Sequence, residues 1–424
     1  MRAGWDALTL GEKSAKNSLR IFFFFLRFTM RRLRAAHAAA FTASIKRTMN
    51  ERIRGFDGLR ALAVLLVFIH HKAMAEGSGL GHLGVWIFFA LSGFLITDIL
   101  TTQRSYIDAG SSSFAAELKR FLYRRTLRIF PIYYLLLITL ALMMTIGFAG
   151  PELAGGMPFH FAYLSNFWIA DVLHYWPGRY SHLWSLSIEE QFYLVFAPLL
   201  LAMNARWHVR ICCAVFASGI VALALMKAAG DPSIVIYTHP LTNFWLLALG
   251  GIGGALLREG GAFRRCLRPF PVALMLLVCI ALLCRAEPAW EDIADPWRFT
   301  ALYVFYGACI ATLVCAVACS ESAALMRVLE WRPLMSLGRI SYGFYLYHGF
   351  IPDFTKSARV IALFGASGIP LWVHAASITA SFLLTLMLAR LSWRFIEEPI
   401  LRLKNRRFAR KNESAQAGEG ALSR

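Results

Sequence analysis

GLRALAVLLVFIHH, residues 58–71, is apolar enough to sit in a bilayer, yet it carries Arg60 near its start and His70 and His71 at its end. Read as an α-helix at about 100° per residue, the steps from Arg60 to His71 make three turns plus about 20°, so both side chains project from one face about 16 Å apart. His70 falls about 80° from that line. Asp57 stands three residues before Arg60, within pairing reach on the same helix face. A charge in hydrocarbon costs at least a few kcal/mol, so such residues face a bundle interior or a wet cavity and mark a site. The plainer alternative has Arg60 snorkelling to the headgroups and His71 closing the outer end of the helix.

The rest of the chain supports a membrane reading. Of its 424 residues, 58% are hydrophobic and only 16% charged, far from the balance of a soluble domain. The net charge of +19 raises nucleic acid as a partner, but the basic residues cluster between apolar runs, as the positive-inside rule of membrane proteins requires. No nucleic-acid partner is expected. Seven of the eight cysteines fall within apolar segments and read as small hydrophobes rather than disulfides or metal ligands. No metal site is expected.

Apolar runs of bilayer length recur, bounded by charges or by Gly and Pro. They predict an all-α integral membrane fold, one bundle of about ten spans at 57–75, 84–101, 129–149, 189–204, 209–228, 240–257, 271–286, 299–319, 338–355 and 369–391. With the N-terminus inside, the inner connections and tail hold 21 Lys and Arg and the outer connections 4. That asymmetry places both termini in the cytoplasm. Residues 1–52 differ in character, with an aromatic run too short to span a bilayer and many basic residues. They are expected to be a disordered cytoplasmic arm or translation from upstream of a start near Met49. The membrane domain is expected at 53–401, followed by a basic cytoplasmic tail at 402–424 with no soluble domain after the last span.

Further polar insertions interrupt these runs. In GLGHLGVWIFFALSGFLIT, Ser92 and Gly93 make a small notch in an apolar helix. KRFLYRRTLRIFPIYY brings Arg120, Arg124, Arg125 and Arg128 to the membrane edge, fit either to anchor on anionic lipid or to clamp a phosphate-rich ligand. HLWSLSIEEQFYL carries adjacent carboxylates, Glu189 and Glu190, at the head of an apolar run. They can favour a helix N-terminus, or Glu189 can turn inward and orient a histidine. Ser341, Tyr342 and His348 lie in LGRISYGFYLYHGF, and Glu397 with Pro399 in SWRFIEEPILRLK. The loop 150–188 mixes aromatics with His160, His174 and His182, fit for an interfacial belt or for stacking a sugar. No Gly-rich phosphate loop, GxSxG elbow or HExxH helix is present, which removes the soluble hydrolase and metalloprotease classes.

Taken in order, GFDGLRALAVLLVFIHH, GVWIFFALSGFLIT, RRTLRIFP, WSLSIEEQFY and ISYGFYLYH resemble the acyltransferase 3 family of bacterial membrane O-acyltransferases. The likeness covers Ile53 to Leu401. It implies that an acyl group, usually acetyl, passes from cytoplasmic acyl-CoA, a donor substrate rather than a bound cofactor, to a hydroxyl of a cell-surface glycan or glycolipid. The reaction would take place at the outer face of the bacterial inner membrane. By the same resemblance His71 is the general base or a transient acyl carrier, and Glu189 orients or charge-balances it. Arg60, Arg125 and Arg128 hold the donor's phosphates or pantetheine entrance, and Ser92 and Gly93 leave room for the acyl-bearing arm. Trp184, Ser185, Tyr342 and His348 join the substrate-binding set. A small natural product or a lipid-linked oligosaccharide is the alternative acceptor. A transporter or flippase is the non-enzymatic alternative, since intramembrane Arg, His and Glu also serve transport paths.

Overall fold

The computed structural model describes residues 52–73, 78–147, 151–268, 270–286, 290, 292–365 and 368–402. Apart from Arg52 and Arg402, the expected arm 1–52 and tail 402–424 lie outside them. The described residues are helical, without a β-strand.

The chain runs through α1 (Phe56–Lys72), α2 (Leu80–Asp108), α3 (Phe114–Thr145), α4 (Leu183–Ala202), α5 (His208–Ala229), α6 (Leu241–Glu259), α7 (Phe270–Ala286) and α8 (Pro296–Cys319). Three short helices follow, α9 (Ala323–Leu329), α10 (Arg332–Arg339) and α11 (Ser341–His348), and then the long α12 (Leu371–Ser392). Local chemistry sets several starts: the Ser113 side chain accepts from the Ala116 N–H at 3.2 Å, and Asp295 accepts from that of Arg298 at 2.6 Å. The protein is thus an all-α integral membrane protein.

Seven helices of the described residues are long and apolar enough to cross a membrane, or eight if Gly261–Leu267 and Phe270–Ala286 form one broken span. The expected ten are not reached. The first expected span becomes α1, whose 17 residues cover about 25 Å, short of a hydrocarbon core of about 30 Å. The ninth, 338–355, divides at Ile340, where the backbone leaves helical geometry (φ −97°, ψ 9°). Of the ninth segment, α10 lies against α1 by its buried Leu337 and Gly338, the latter at the Asp57 carbonyl, while Arg332, Pro333, Ser336 and Arg339 are exposed.

With lipid outside, helices gain little by hiding apolar surface from one another, so close packing and polar ties hold the bundle together. The closest crossing pairs α2 with α6. A Cβ on Gly93 would strike the Leu247 carbonyl, and one on Gly250 the Ala90 carbonyl. Arg258 of α6 then grips Asp98, and its Nη2 donates to Thr102 Oγ1 of α2 at 2.7 Å. Nearby, Arg104 Nη1 donates to the Leu201 carbonyl at 2.7 Å and His208 Nε2 to that of Leu200 at 2.7 Å, tying the α4–α5 turn to the same end of α2. Large apolar side chains point outward instead, among them Leu142, Leu225 and Leu282, each more than 60% exposed. These face the lipid.

Candidate active site

Five helices, α1 to α4 and α11, enclose a cavity of about 290 Å³. Arg60, Arg125 and Arg128 supply its positive charge, and Glu189 and Glu190 line it beside them. Phe88, Phe89, Leu95 and Ile99 of α2 make an apolar wall. Arg128 is exposed, so the cavity opens there.

Three of these charges, on Arg60, Arg125 and Glu189, are positioned by specific contacts. Arg60 Nη1 donates to Asp57 Oδ1 at 2.8 Å, the pairing their spacing predicts, and Asp57 also pairs with Arg52. The Arg125 guanidinium lies 5.6 Å from the Phe121 ring centre and 5.3 Å from that of Tyr193, a double cation–π seat. Ser92 shares a hydrogen bond of 2.6 Å with the Tyr193 hydroxyl, which donates to Glu189 Oε2 at 2.8 Å. Glu189 therefore belongs to the cationic cavity. Glu190 is buried with its Oε1 unpartnered by protein, an acceptor left for a ligand or water.

Three turns along α1, a second polar centre gathers the histidines. The ring centres of His71 and His348 lie 5.1 Å apart, and those of His348 and His182 4.9 Å apart. His182 and His348 are buried, whereas His71 is exposed. The cluster thus reaches the protein surface at His71. Beside it, Lys72 Nζ donates to the Ile351 carbonyl at 2.6 Å, closing the chain after α11 over the end of α1.

One layer of side chains separates the two centres. Ser185 and Tyr345 line the cavity, and their hydroxyls share a hydrogen bond of 2.6 Å. On its other side the same pair faces the histidines: both hydroxyl oxygens lie 3.1 Å from the His182 carbonyl oxygen, so one hydroxyl donates to it and the other donates to its partner hydroxyl, and the His182 and Tyr345 rings lie 5.6 Å apart. Short α11 serves both sides, with Ser341, Tyr342 and Tyr345 at the cavity and His348 in the cluster.

A profile of the acyltransferase 3 family, described as an acyltransferase domain, matches residues 53–392. The chain belongs to the acyltransferase 3 family. It is 33% identical over 384 residues to the putative peptidoglycan O-acetyltransferase YrhL of Bacillus subtilis, a match covering 85% of the chain and 56% of that relative. To the peptidoglycan O-acetyltransferase OatA of Listeria monocytogenes it is 30% identical, covering 82% and 56%, and to the O-acetyltransferase OatA of Staphylococcus aureus 32% identical, covering 84% and 58%. The chain thus spans little more than half the length of these relatives. No solved structure matches it.

In this acyltransferase 3 chain the sequence-predicted residues divide. Arg60, Ser92, Arg125, Arg128, Ser185, Glu189 and Tyr342 meet at the cavity, where the Tyr342 hydroxyl donates to the Ile129 carbonyl at 3.0 Å. His71 and His348 meet in the imidazole cluster. Three expectations change. Glu189 bonds Tyr193 and faces the guanidiniums rather than orienting His71. Gly93 makes no room for an acyl arm, because its open side is filled by the α6 backbone. Trp184 is 3% exposed and packs on Tyr237 and Phe89 instead of lining the cavity.

Sequence reasoning missed Tyr193, His182 and Tyr345 as parts of these centres. Tyr193 follows Glu189 by four residues, which already places both on one helix face. His182 and Tyr345 carry no such signal, because α4 and α11 meet only through the fold. His70, off the Arg60 line, bonds Ser78 Oγ at 2.8 Å and packs on Gly81, fastening the start of α2. In the aromatic loop, His160 is buried and bonded to Ser165 at 2.7 Å, and Tyr163 stacks on Tyr133 with ring centres 4.2 Å apart. Tyr175 and Trp176 stay exposed, as a sugar-stacking surface would need.

Proposed function

We propose that this protein is a membrane O-acetyltransferase that carries an acetyl group from acetyl-CoA in the cytoplasm to a hydroxyl of a cell-surface glycan beyond the bilayer. The observation that carries the reading is the placement of a cationic cavity and an imidazole cluster on one helix, three turns apart, with the Ser185–Tyr345 pair between them. With α1 and the α10–α11 segment each counted as crossing, as in the ten expected spans, the positive-inside asymmetry gives the sidedness: the Arg128 mouth faces the cytoplasm and the His71 end faces outward. Both termini are then cytoplasmic and the membrane is the inner one. The names of the relatives point to peptidoglycan as the glycan.

The donor's phosphates sit on Arg60, Arg125 and Arg128, for which planar guanidinium groups are suited. Its thioester end extends along the apolar wall to Ser185 and Tyr345, and the step requires this pair to move aside so that the thioester meets the acceptor at His71. His71 Nε2 takes the proton of the acceptor hydroxyl as that oxygen attacks the thioester carbonyl. The carbon–sulfur bond breaks, the ester forms, and the proton held on His71 passes to the leaving thiolate, which restores the base. A neutral imidazole suits this step, since one ring nitrogen carries a lone pair that can take a proton.

Purified protein in proteoliposomes, given labelled acetyl-CoA and soluble peptidoglycan fragments, is expected to form alkali-labile glycan ester. His71→Ala should lower the rate about 10²- to 10⁴-fold at equal folded protein. Undiminished ester formation by that variant would overturn the base assignment.

A further inference from the structure

We infer that His348 is a positioning residue that, together with the Val67 carbonyl, fixes His71 in the tautomer whose Nε2 lone pair is free to take a proton. The inference rests on the proposed role of His71 as the base.

The hydrogen-bond pattern assigns each ring nitrogen. A backbone carbonyl only accepts, so His348 Nδ1, bonded to the Tyr345 carbonyl, carries a hydrogen. His348 is buried between two other imidazoles, where a neutral ring is the cheaper state. Its Nε2 is then an acceptor, and it points at His71 Nδ1 from 3.3 Å. That same His71 Nδ1 lies 2.9 Å from the Val67 carbonyl. Two acceptors converge on one nitrogen. If His71 Nδ1 lacked a hydrogen, three lone pairs would face each other; with one, both contacts are satisfied by a single forked donor. The hydrogen therefore sits on His71 Nδ1 and the lone pair on Nε2, which makes no hydrogen bond among the described residues. His182 holds the far side of the cluster in the same way, its Nε2–H donating to the Leu346 carbonyl at 3.0 Å.

Val67 alone holds a tautomer on a rotatable side chain; His348 adds a second acceptor from α11, which also fixes the ring plane. In a catalytic Ser–His pair a carboxylate gives this service. Here a neutral imidazole gives it, without placing a fixed charge beside the base.

The test compares His348→Gln, His348→Asn and His348→Leu in the full chain, with acetyl-CoA as donor and peptidoglycan fragments as acceptor. Gln can place an acceptor oxygen near the position of Nε2, Asn mimics only the Nδ1 side, and Leu offers neither. We expect Asn and Leu to lower kcat tenfold or more while KM for acetyl-CoA, set in the cavity beyond Tyr345, stays within about twofold. Gln is expected to recover several-fold over Asn. A purely structural role would treat Gln and Asn alike. Equal kcat for Gln, Asn and Leu, or a wild-type kcat for Leu, would overturn the inference. His71→Ala separates the two levels: its full activity sinks the underlying base role, whereas its inactivity beside an active His348→Leu sinks only the positioning. If the His348 variants do not fold, imidazole ¹⁵N spectra of wild type against His71→Gln decide, since a His71 ring protonated at Nε2 alone contradicts the assignment.

Discussion

Arg125 meets the cavity with its charge and the Tyr193 ring with its face, so its removal should act on the donor more than on the chemical step. Arg125→Ala is expected to raise KM for acetyl-CoA about tenfold or more, because a charge-assisted hydrogen bond contributes about 1.5–3 kcal/mol and 1.4 kcal/mol is a factor of ten. Initial rates over a range of donor concentrations check this, and an unchanged KM would place the donor elsewhere. Tyr193→Phe removes one hydroxyl that serves both Ser92 and Glu189. A stability loss of about 1–3 kcal/mol is expected, since a buried polar partner is left unpaired; the unfolding midpoint in detergent measures it. At this scale the sequence was informative where helical phase sufficed. Arg60, His71 and Asp57 share one helix, and their relative directions follow from spacing alone. Glu189 was misassigned because either an imidazole or a guanidinium could serve its carboxylate, and only the neighbouring helices decide which is within reach.

At the scale of elements, the α2–α6 crossing is the tightest point of the bundle. Gly93→Val should destabilise by at least the 1–3 kcal/mol typical of an overfilled core, because the obstructing atoms are backbone of α6 rather than a movable side chain. Loss of monodisperse protein on size-exclusion chromatography would register it, and a variant as stable as wild type would refute the crossing. A second tie lies outside the spans, in the connection between α8 and α10. Arg54 Nε donates to Glu330 Oε1 at 3.0 Å, and this bond holds the Glu330 carboxyl below the usual carboxylate range. A carboxyl so lowered contributes stability that is present above its unfolded pKa and lost as pH falls through the folded one. Glu330→Gln should therefore melt slightly below wild type at neutral pH and match it at acid pH. A difference that persisted in acid would contradict the pairing. Hydropathy marked where the long helices lie, but α2 and α3 run well beyond the expected 84–101 and 129–149, and it did not show that 338–355 breaks to leave the short, buried α11. Burial inside a bundle makes a short helix as apolar as a spanning one, and hydropathy cannot tell the two environments apart.

For the whole molecule, sidedness is the outstanding quantity. The 21 to 4 division of basic residues predicts that a C-terminal reporter active only in the cytoplasm is active, and that one requiring export is silent. The reverse result would invert the proposed direction of acetyl transfer. Composition and patterning by themselves determined an all-helical membrane protein and the phase of Arg60 and His71 on one helix, because these depend on transfer energies and on the 3.6-residue repeat; the family came instead from the resemblance of five motifs. Only the tertiary structure decided that the polar residues form two centres rather than one path, that Ser185 and Tyr345 stand between them, and that His348 faces His71. Those relations join α1, α4 and α11 across more than a hundred residues of chain. No local periodicity encodes which helices become neighbours; that is settled by where backbones can approach, as at Gly93, and by which buried polar groups find partners.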